Sequence, residues 1–180
     1  CRVNGRIFTI GHGNHSREDL LKQLTQTEVS FVVDVRSTPY SRYQPEFSRD
    51  ALEHFLREHR LRYVFMGDLL GGRPQNDDCY TDGMVDYTKV RGKEFFVRGI
   101  ARIKNAYEQG LSICLLCSEG QPSQCHRAKL VGAALSDEGI NVTHLLPDGS
   151  RRSQAEVIAQ ITKGQCSLFA EHFVSRKAYR

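Results

Sequence analysis

Long apolar segments are absent from the sequence. No hydrophobic run approaches the roughly 20 residues that a membrane-spanning helix needs, and the N-terminal residues Cys1–Gly5 lack the apolar stretch of a secretory signal peptide. We therefore expect a protein that does not insert into a membrane and that acts in the cytoplasm.

A strong charge of one sign is lacking as well. The 25 basic and 21 acidic residues leave a formal net charge of +4, which permits an anionic ligand without demanding one. No long basic stretch is interleaved with aromatic residues, so charge alone does not indicate a groove for nucleic acid. Much of the basic excess lies near the C-terminus, at Arg151, Arg152, Arg176, Lys177 and Arg180.

The cysteines do not form a disulfide pattern. There are six, at positions 1, 79, 114, 117, 125 and 166, and their spacing is not that of a disulfide framework. Cys114 and Cys117 lie in an apolar run that is typical of a buried strand. We interpret the cysteines as reduced thiols, as in cytosolic proteins.

Short apolar runs alternate with helical patterns along the 180 residues, a length close to that of one domain. The runs 6–10, 31–35, 63–66, 111–117 and 141–146 predict strands. Helices are predicted over 16–28, from 48 onwards, and over 93–108, 123–137, 153–161 and 168–175. This alternation predicts an α/β fold: a three-layer sandwich with a mostly parallel sheet of about five strands, Rossmann-like or flavodoxin-like.

The chain is predicted to form one domain over 1–180. Its core spans about 7–146, and a helical C-terminal extension spans about 151–180. Between the third and fourth strands, residues 67–83 are rich in glycine, proline, asparagine and aspartate, which predicts a long loop. Loops of that length are usually functional or mobile.

Ionisable and reactive side chains follow the predicted strands. Ligands of parallel α/β sheets bind just outside the carboxyl ends of the strands, so these side chains should face one another across a crevice. They are His12 after the first strand, Asp34, Arg36 and Ser41 after the second, and Cys117, Glu119, Cys125, His126 and Arg127 after the fourth.

The segment that begins at Cys117 contains two candidate nucleophiles. A helix N-terminus after Cys117 can lower the pKa of its thiol, or else Cys117 is a small apolar residue that closes the strand. Cys125 is the other nucleophile, or it shapes the pocket. Backbone N–H groups and Arg127 would hold a phosphate or carboxylate at the helix start; alternatively, His126 covers its helix and Arg127 pairs with Glu119.

The remaining candidates also allow two interpretations each. Glu119 is a general base or ligand orienter, or a structural partner of Arg127. Asp34 and Arg36 would point the same way from a straight strand, so they form an ion pair or Arg36 faces a ligand. His12 is a proton-transfer group or a structural histidine whose hydrogen bonds are to the backbone.

Known phosphate loops and metal motifs do not match. A Walker lysine loop is absent, and nine residues separate Cys117 from Arg127, too many for a tyrosine-phosphatase-like loop. Cys117, Cys125 and His126 are suitable zinc ligands, but seven residues separate these two cysteines, which therefore do not form a CxxC pair. The sequence therefore does not favour a metal, and we expect no cofactor.

Three motifs together resemble the bacterial and archaeal family called domain of unknown function 488. They are Thr9-Ile10-Gly11-His12, Asp34-Val35-Arg36 with Pro39 and Ser41, and Cys117-Ser118-Glu119 with Pro122 and Cys125-His126-Arg127. Gly71-Gly72-Arg73 looks like the family's glycine-rich loop. The similarity runs from about Ile7 to Leu146; Gly13-Asn14 replaces the more usual small polar pair. The resemblance implies a compact α/β fold and a site made from these motifs, and no established activity.

These observations predict an enzyme, a hydrolase or group transferase, that binds a phosphorylated or nucleotide-like ligand. In that hypothesis Arg36 and Arg127 hold the anionic group, Glu119 or His12 moves a proton, and a cysteine is the nucleophile. One alternative is a non-catalytic module that binds a ligand or nucleic acid. Another is a thiol-based sulfur-transfer or redox protein, since the Asp-Val-Arg strand end and cysteine loop are faintly similar to rhodanese-like sulfur carriers. The sequence does not predict an oligomeric state.

Overall fold

The fold is known from a computed structural model that describes residues 4–164 and 172–180. The strands are β1 Ile7–Gly11, β2 Phe31–Asp34, β3 Arg62–Phe65, β4 Tyr80–Thr81, β5 Met84–Val85, β6 Ile113–Cys117, β7 Val142–Leu145 and β8 Arg151–Ser153. Six of them form the central sheet in the order β3-β2-β6-β1-β7-β8. All neighbouring pairs in this sheet are parallel except β7 and β8, which are antiparallel. A separate antiparallel hairpin contains β4 and β5.

Helices cover both faces of this sheet. The α-helices are α1 Arg17–Thr25, α2 Arg49–Glu58, α3 Gly67–Leu70, α4 Tyr87–Arg91, α5 Glu94–Glu108, α6 Ala133–Asp137 and α7 Gln154–Thr162. Arg127–Gly132 form a π-helical segment that continues directly into α6. Short 3-10 turns occupy Pro45–Phe47, Asp77–Cys79 and Pro122–Gln124.

The alternation of side chains along β6 divides the core into two clusters. Ile113, Leu115 and Cys117 pack on one face, with apolar residues of α4, α5 and α6. Cys114 and Leu116 pack on the other, with α1 and α2. Because both faces are covered, every residue of β6 is buried, as expected for a central strand of a parallel sheet. The three-layer α/β prediction is therefore confirmed.

The edge strand β8 was not predicted. Residues 151–153 were assigned to a helical extension, but they pair with β7 and make six strands instead of about five. All three side chains of β8 are exposed, so the segment carries no apolar periodicity that sequence analysis could detect. Polar residues at such a position are common because they discourage pairing with another chain.

The predicted loop 67–83 contains regular structure. Its first residues form α3, and its end forms the β4–β5 hairpin. Asp82 and Gly83 at the turn both have positive φ angles, 50° and 77°, the geometry that Asp-Gly pairs favour in tight hairpins. These elements are too short to produce a periodic pattern, so composition alone indicated a loop.

The second C-terminal helix was predicted over 168–175, of which 168–171 lie outside the described residues, as do Cys1 and Cys166. The described part is not helical: Val174 forms an isolated antiparallel bridge with Asp86. The backbone N of Ser175 donates to Val85, and that of Tyr179 donates to Gly83. Residues 172–180, here called the C-terminal strap, are thus attached to the β4–β5 hairpin.

Candidate functional site

The carboxyl ends of β2, β6 and β1 lie side by side. In the register, Gly11 is opposite Cys117, and Asp34 is opposite Leu116. Hydrogen bonds continue beyond the strands, because the backbone N of His12 donates to the carbonyl of Cys117 at 3.0 Å. The motifs that are far apart in the sequence therefore meet at one edge of the sheet, as the topology of a parallel sheet requires.

Two thiols and one imidazole converge at this edge. Sγ of Cys117 lies 3.1 Å from Sγ of Cys125. Nδ1 of His126 lies 3.7 Å from each of the two sulfur atoms. All three residues are buried. We refer to Cys117, Cys125 and His126 as the Cys–Cys–His cluster.

The orientation of the His126 ring is fixed by its surroundings. Its Nε2 lies 3.1 Å from the carbonyl oxygen of Val35, which can accept a hydrogen bond and cannot donate one. The ring therefore carries its proton on Nε2 and, when neutral, presents the lone pair of Nδ1 to the two sulfurs. Gly72 packs on the ring: a Cβ at that position would be 2.8 Å from Cγ and Nδ1 of His126.

The two cysteines of the cluster titrate differently. A hydrogen bond from the Cys125 thiol, aided by His126 and the charge of Arg127, holds the pKa of Cys117 well below its ordinary value in spite of burial. Burial and the neighbouring Cys117 sulfur raise the pKa of Cys125. The thiol of Cys117 is therefore the more readily deprotonated of the two.

Asp34 and Arg36 form a buried ion pair beside the cluster. The carboxylate accepts from Nε of Arg36 at 2.9 Å and from Nη2 at 2.6 Å. The hydroxyl of Tyr63 donates to the same carboxylate at 2.6 Å. Burial lowers the pKa of Arg36, but the bonds to Asp34 outweigh burial and the pKa is raised. The two residues do point the same way, and their ion pair is one of the two predicted alternatives.

Arg127 is fully buried. Its guanidinium donates to the backbone carbonyls of Glu119 and Gly120 and so holds the loop between β6 and the helix. The alternative in which Arg127 pairs with Glu119 is wrong: the Glu119 carboxylate lies 3.2 Å from Nη2 of Arg176 instead. Arg127 donates to the backbone carbonyl of Glu119, while the side chain of Glu119 contacts Arg176.

His12 lies close enough to Arg36 and Cys117 to interact with their charges, whereas the hydrogen bonds of Ser41 are with Gln44 and Ser48. The His12 ring stacks on Phe47 with centroids 4.4 Å apart, and Nδ1 contacts the carbonyl of Gly13 at 3.1 Å. Within residues 4–164 and 172–180, no hydrogen-bond partner reaches its buried Nε2. Burial, followed by the charge of Arg36, lowers the pKa of His12. Ser41 accepts a hydrogen bond from the backbone N of Gln44. A direct role for either residue stays a prediction.

The cluster forms part of the wall of a crevice of about 220 Å³. Its basic residues come from three parts of the chain: Arg36 from the end of β2, Arg73 from the glycine-rich loop, and Arg176 and Lys177 from the C-terminal strap. Tyr179 of the strap lies between cations, with Arg73 4.3 Å and Lys177 5.8 Å from its ring centre. The crevice is lined by Arg36, Ser37, Thr38, Gly72, Arg73, Tyr87, Cys117, Ser118, Glu119, Gln124, Cys125, His126, Arg176, Lys177 and Tyr179.

Sequence reasoning did not assign the strap residues to the site. The basic excess near the C-terminus was recognised, but no periodic signal related it to the strand ends. The hydrogen bonds of the strap with the hairpin decide where Arg176 and Lys177 lie. Arg73 follows two glycines in the motif Gly71-Gly72-Arg73, to which the sequence alone assigns no role.

A polar chain of contacts lies behind the site. His144 Nδ1 is 2.6 Å from Oγ1 of Thr9, and its Nε2 is 2.6 Å from Oε1 of Gln154. The Gln154 amide nitrogen donates to the carbonyl of Ala128, so the Gln154 oxygen must accept from Nε2 of His144. Burial lowers the pKa of His144 to about 4. This chain attaches β7 and α7 to the π-helical segment and does not reach the crevice.

Comparison with known proteins gives a family. Residues 16–134 match the model described as Domain of unknown function DUF488. The chain belongs to this family. The matched residues contain the ion pair Asp34–Arg36, the Cys–Cys–His cluster and Arg127, whereas His12 and the C-terminal strap lie outside them. No curated protein and no solved structure matches the chain.

Membership of the DUF488 family confirms the expectation drawn from the three motifs, and the α/β fold agrees with it. No helix in the described part of the chain has the length and apolar character that crossing a bilayer requires.

Proposed function

We propose that this DUF488 protein is an enzyme that binds a small phosphorylated or other anionic ligand in the crevice and hydrolyses it or transfers a group from it. The observation that carries this proposal is the grouping of four cationic side chains around the Cys–Cys–His cluster. These are Arg36, Arg73, Arg176 and Lys177; among the crevice-lining residues Glu119 is the one acidic group.

An anion in the crevice would relieve the repulsion between these cations. Like charges at short range cost free energy, and the cost grows when the charges are partly removed from water. Asp34 engages Nε and Nη2 of Arg36, which leaves Nη1 for a ligand. Guanidinium groups bind phosphate and carboxylate oxygens with good geometry.

The size of the crevice limits what is enclosed. Pockets that bury a drug-sized ligand hold roughly 300–1,000 Å³, and this crevice holds about 220 Å³. A phosphoryl group with a few neighbouring atoms fits this volume, and the rest of a larger ligand would extend into solvent. The proposed substrate class is therefore a phosphate ester or similar anion, held by its charged end.

Chemical groups at the end of the crevice support catalysis rather than carriage alone. The sulfur atoms of Cys117 and Cys125 are reactive groups of a kind that enzymes use for covalent or metal chemistry. Glu119 now pairs with Arg176. A ligand anion that binds Arg176 would free the carboxylate of Glu119 to accept a proton.

Calorimetric titration with inorganic phosphate, pyrophosphate, a mononucleotide and a sugar phosphate tests the proposal, at two salt concentrations. We expect Arg176→Ala combined with Lys177→Ala to weaken binding at least about tenfold, which corresponds to roughly 1.4 kcal/mol. The matched control removes two arginines outside the crevice, Arg151→Ala with Arg152→Ala, and should change affinity less than about twofold.

Two results would contradict the proposal: equal losses in both double variants, or no binding of any anion by the parent chain. Release of the phosphoryl group from a bound ester is the expected sign of turnover. Binding of a single-stranded oligonucleotide with steep salt dependence and no turnover would favour the nucleic-acid module instead.

Thiol chemistry is a second candidate, which the 3.1 Å separation of the Cys117 and Cys125 sulfurs favours. Two thiols this close can form a disulfide when an oxidant removes two electrons and two protons. Mass spectrometry of the protein after treatment with a disulfide reagent would show a bond between these two residues. If the pair stays reduced while the protein remains folded, this candidate is excluded.

A further inference from the structure

We propose that the Cys–Cys–His cluster binds one divalent metal ion of the zinc class, with its fourth coordination position open to the crevice. The ligand atoms would be Sγ of Cys117, Sγ of Cys125 and Nδ1 of His126, which all lie within 4.8 Å of one another. This proposal stands on the geometry of the three side chains and does not depend on the anionic ligand.

The distances between the three atoms are close to those of a tetrahedral site. With Zn–S and Zn–N bonds of about 2.3 and 2.0 Å, two sulfurs on one ion lie about 3.8 Å apart, and sulfur and nitrogen about 3.5 Å apart. The nitrogen is 3.7 Å from each sulfur, and the sulfurs are 3.1 Å apart. An ion therefore requires the two sulfurs to separate by about 0.7 Å, which a side-chain rotation of Cys117 or Cys125 supplies.

The contacts behind the ligand atoms are those that metal sites use. A metal-binding histidine usually donates its second ring N–H to a carboxylate or carbonyl, and Nε2 of His126 has that contact with Val35. The backbone N of Arg127 donates to Sγ of Cys125 at 3.4 Å, a bond that favours a thiolate. Gly72 leaves room for the imidazole in this orientation.

A disulfide would explain less of this arrangement. It needs the two sulfurs alone and gives no reason for Nδ1 of His126 to be equally distant from both. A metal ion uses all three atoms and the lone pair that the bond to Val35 directs toward the sulfurs.

The spacing of Cys117 and Cys125 in the sequence does not exclude this metal site, because the three ligands come from different elements of the fold. Seven residues separate Cys117 from Cys125, which counts against a closed structural site, in which close pairs from tight turns supply four ligands. Here Cys117 ends β6, whereas Cys125 and His126 precede the π-helical segment. Three protein ligands with one open position are typical of catalytic zinc. All three residues line the crevice, so the open position would face the ligand.

Metal analysis of the whole chain tests the inference. Protein purified without chelator should contain close to one zinc per chain. The metal-free protein should take up one Co²⁺ and show the absorption that thiolate–cobalt bonds produce. The expected effect of Cys125→Ala is a loss of Zn²⁺ affinity of at least about tenfold, since even partners of ligands matter by 10–100-fold.

The matched control is Cys114→Ala, which removes a buried thiol from the opposite face of β6. It should bind one Zn²⁺ with parental affinity. Circular dichroism of each protein confirms that it is folded, and the Co²⁺ spectrum of the parent chain tests the site without any variant.

Several outcomes would overturn the inference. They are a folded parent chain that takes up no stoichiometric Zn²⁺ or Co²⁺, uptake that Cys125→Ala leaves unchanged, and equal losses in Cys125→Ala and Cys114→Ala. A Cys117–Cys125 disulfide in protein that still binds no metal after reduction would also overturn it, in favour of the redox pair. The readout is separate from that of anion binding, because the Arg176 and Lys177 double variant should retain its metal.

Discussion

Nη2 of Arg36 lies 2.6 Å from Oδ2 of Asp34, and the side chains are 4% and 0% exposed. Asp34 is the last residue of β2, and Arg36 follows two positions later. The end of a single strand therefore supplies both charges. Tyr63 on the neighbouring strand β3 donates a further hydrogen bond to the carboxylate. The cation that lines the crevice is thus held in place by a buried anion behind it.

Removal of that anion should be costly. We expect Asp34→Ala to lower the free energy of unfolding by about 3–5 kcal/mol, since it leaves the buried charge of Arg36 without a partner. Tyr63→Phe removes one hydrogen bond and should cost about 1–2 kcal/mol. Urea unfolding followed by circular dichroism measures both. The matched control is Glu28→Ala, which breaks the exposed pair with Arg6; an Asp34→Ala effect no larger than this control would contradict the prediction.

Burial of His144 should make stability depend on pH. Its pKa falls from 6.5 to about 4 in the folded chain, so between these values the unfolded state binds more protons. The free energy of unfolding should therefore be highest above pH 6.5 and should fall by about 3 kcal/mol in total as the pH drops toward 4. Urea unfolding at several pH values should show this loss in the parent chain and a shallower one in His144→Gln. Identical pH dependence in the two proteins would show that His144 is not responsible.

Gly72 should be required for the cluster. A Cβ would meet the His126 ring at 2.8 Å, so Gly72→Ala must displace the imidazole; overpacking of this kind costs about 1–3 kcal/mol. The thermal midpoint should fall, and Zn²⁺ or Co²⁺ affinity should weaken if the cluster binds metal. Gly92→Ala is the control, because a Cβ there would lie 3.6 Å from the carbonyl of Lys89, an ordinary contact. Equal effects at the two glycines would count against the proposed role of Gly72.

Arg127 should act on stability before it acts on ligand binding. Arg127→Met keeps much of the side-chain volume and removes the donors to the carbonyls of Glu119 and Gly120. Leaving these partly buried carbonyls unpaired costs at most about 1–3 kcal/mol each, and hydrogen exchange of residues 118–121 should accelerate. A variant of parental stability that has lost anion binding would reverse this assignment and support the direct contact predicted from sequence.

The sequence by itself determined the layers and the edge of the sheet at which the motifs meet. Strands β1, β2 and β6 are mostly apolar and mostly buried because both faces of the sheet are covered there, and the intervening segments have helical periodicity. From that alternation a parallel sheet follows, and with it the expectation that Asp34, Arg36 and Cys117 share one edge. Several elements escaped prediction because no periodic pattern reveals them: α3, α4, β4 and β5 are short, and β8 is polar.

The tertiary structure alone decided the contacts within the site. The sequence did not show whether Cys117 and Cys125 are in contact. The loop that Arg127 holds brings their sulfur atoms to within 3.1 Å of each other. One alternative drawn from the sequence paired Glu119 with Arg127, whereas the C-terminal strap supplies Arg176 as the partner. The periodicity of apolar residues indicates which side chains a helix or strand buries. The path of a loop or a strap depends on hydrogen bonds and packing between distant residues, which no local pattern contains.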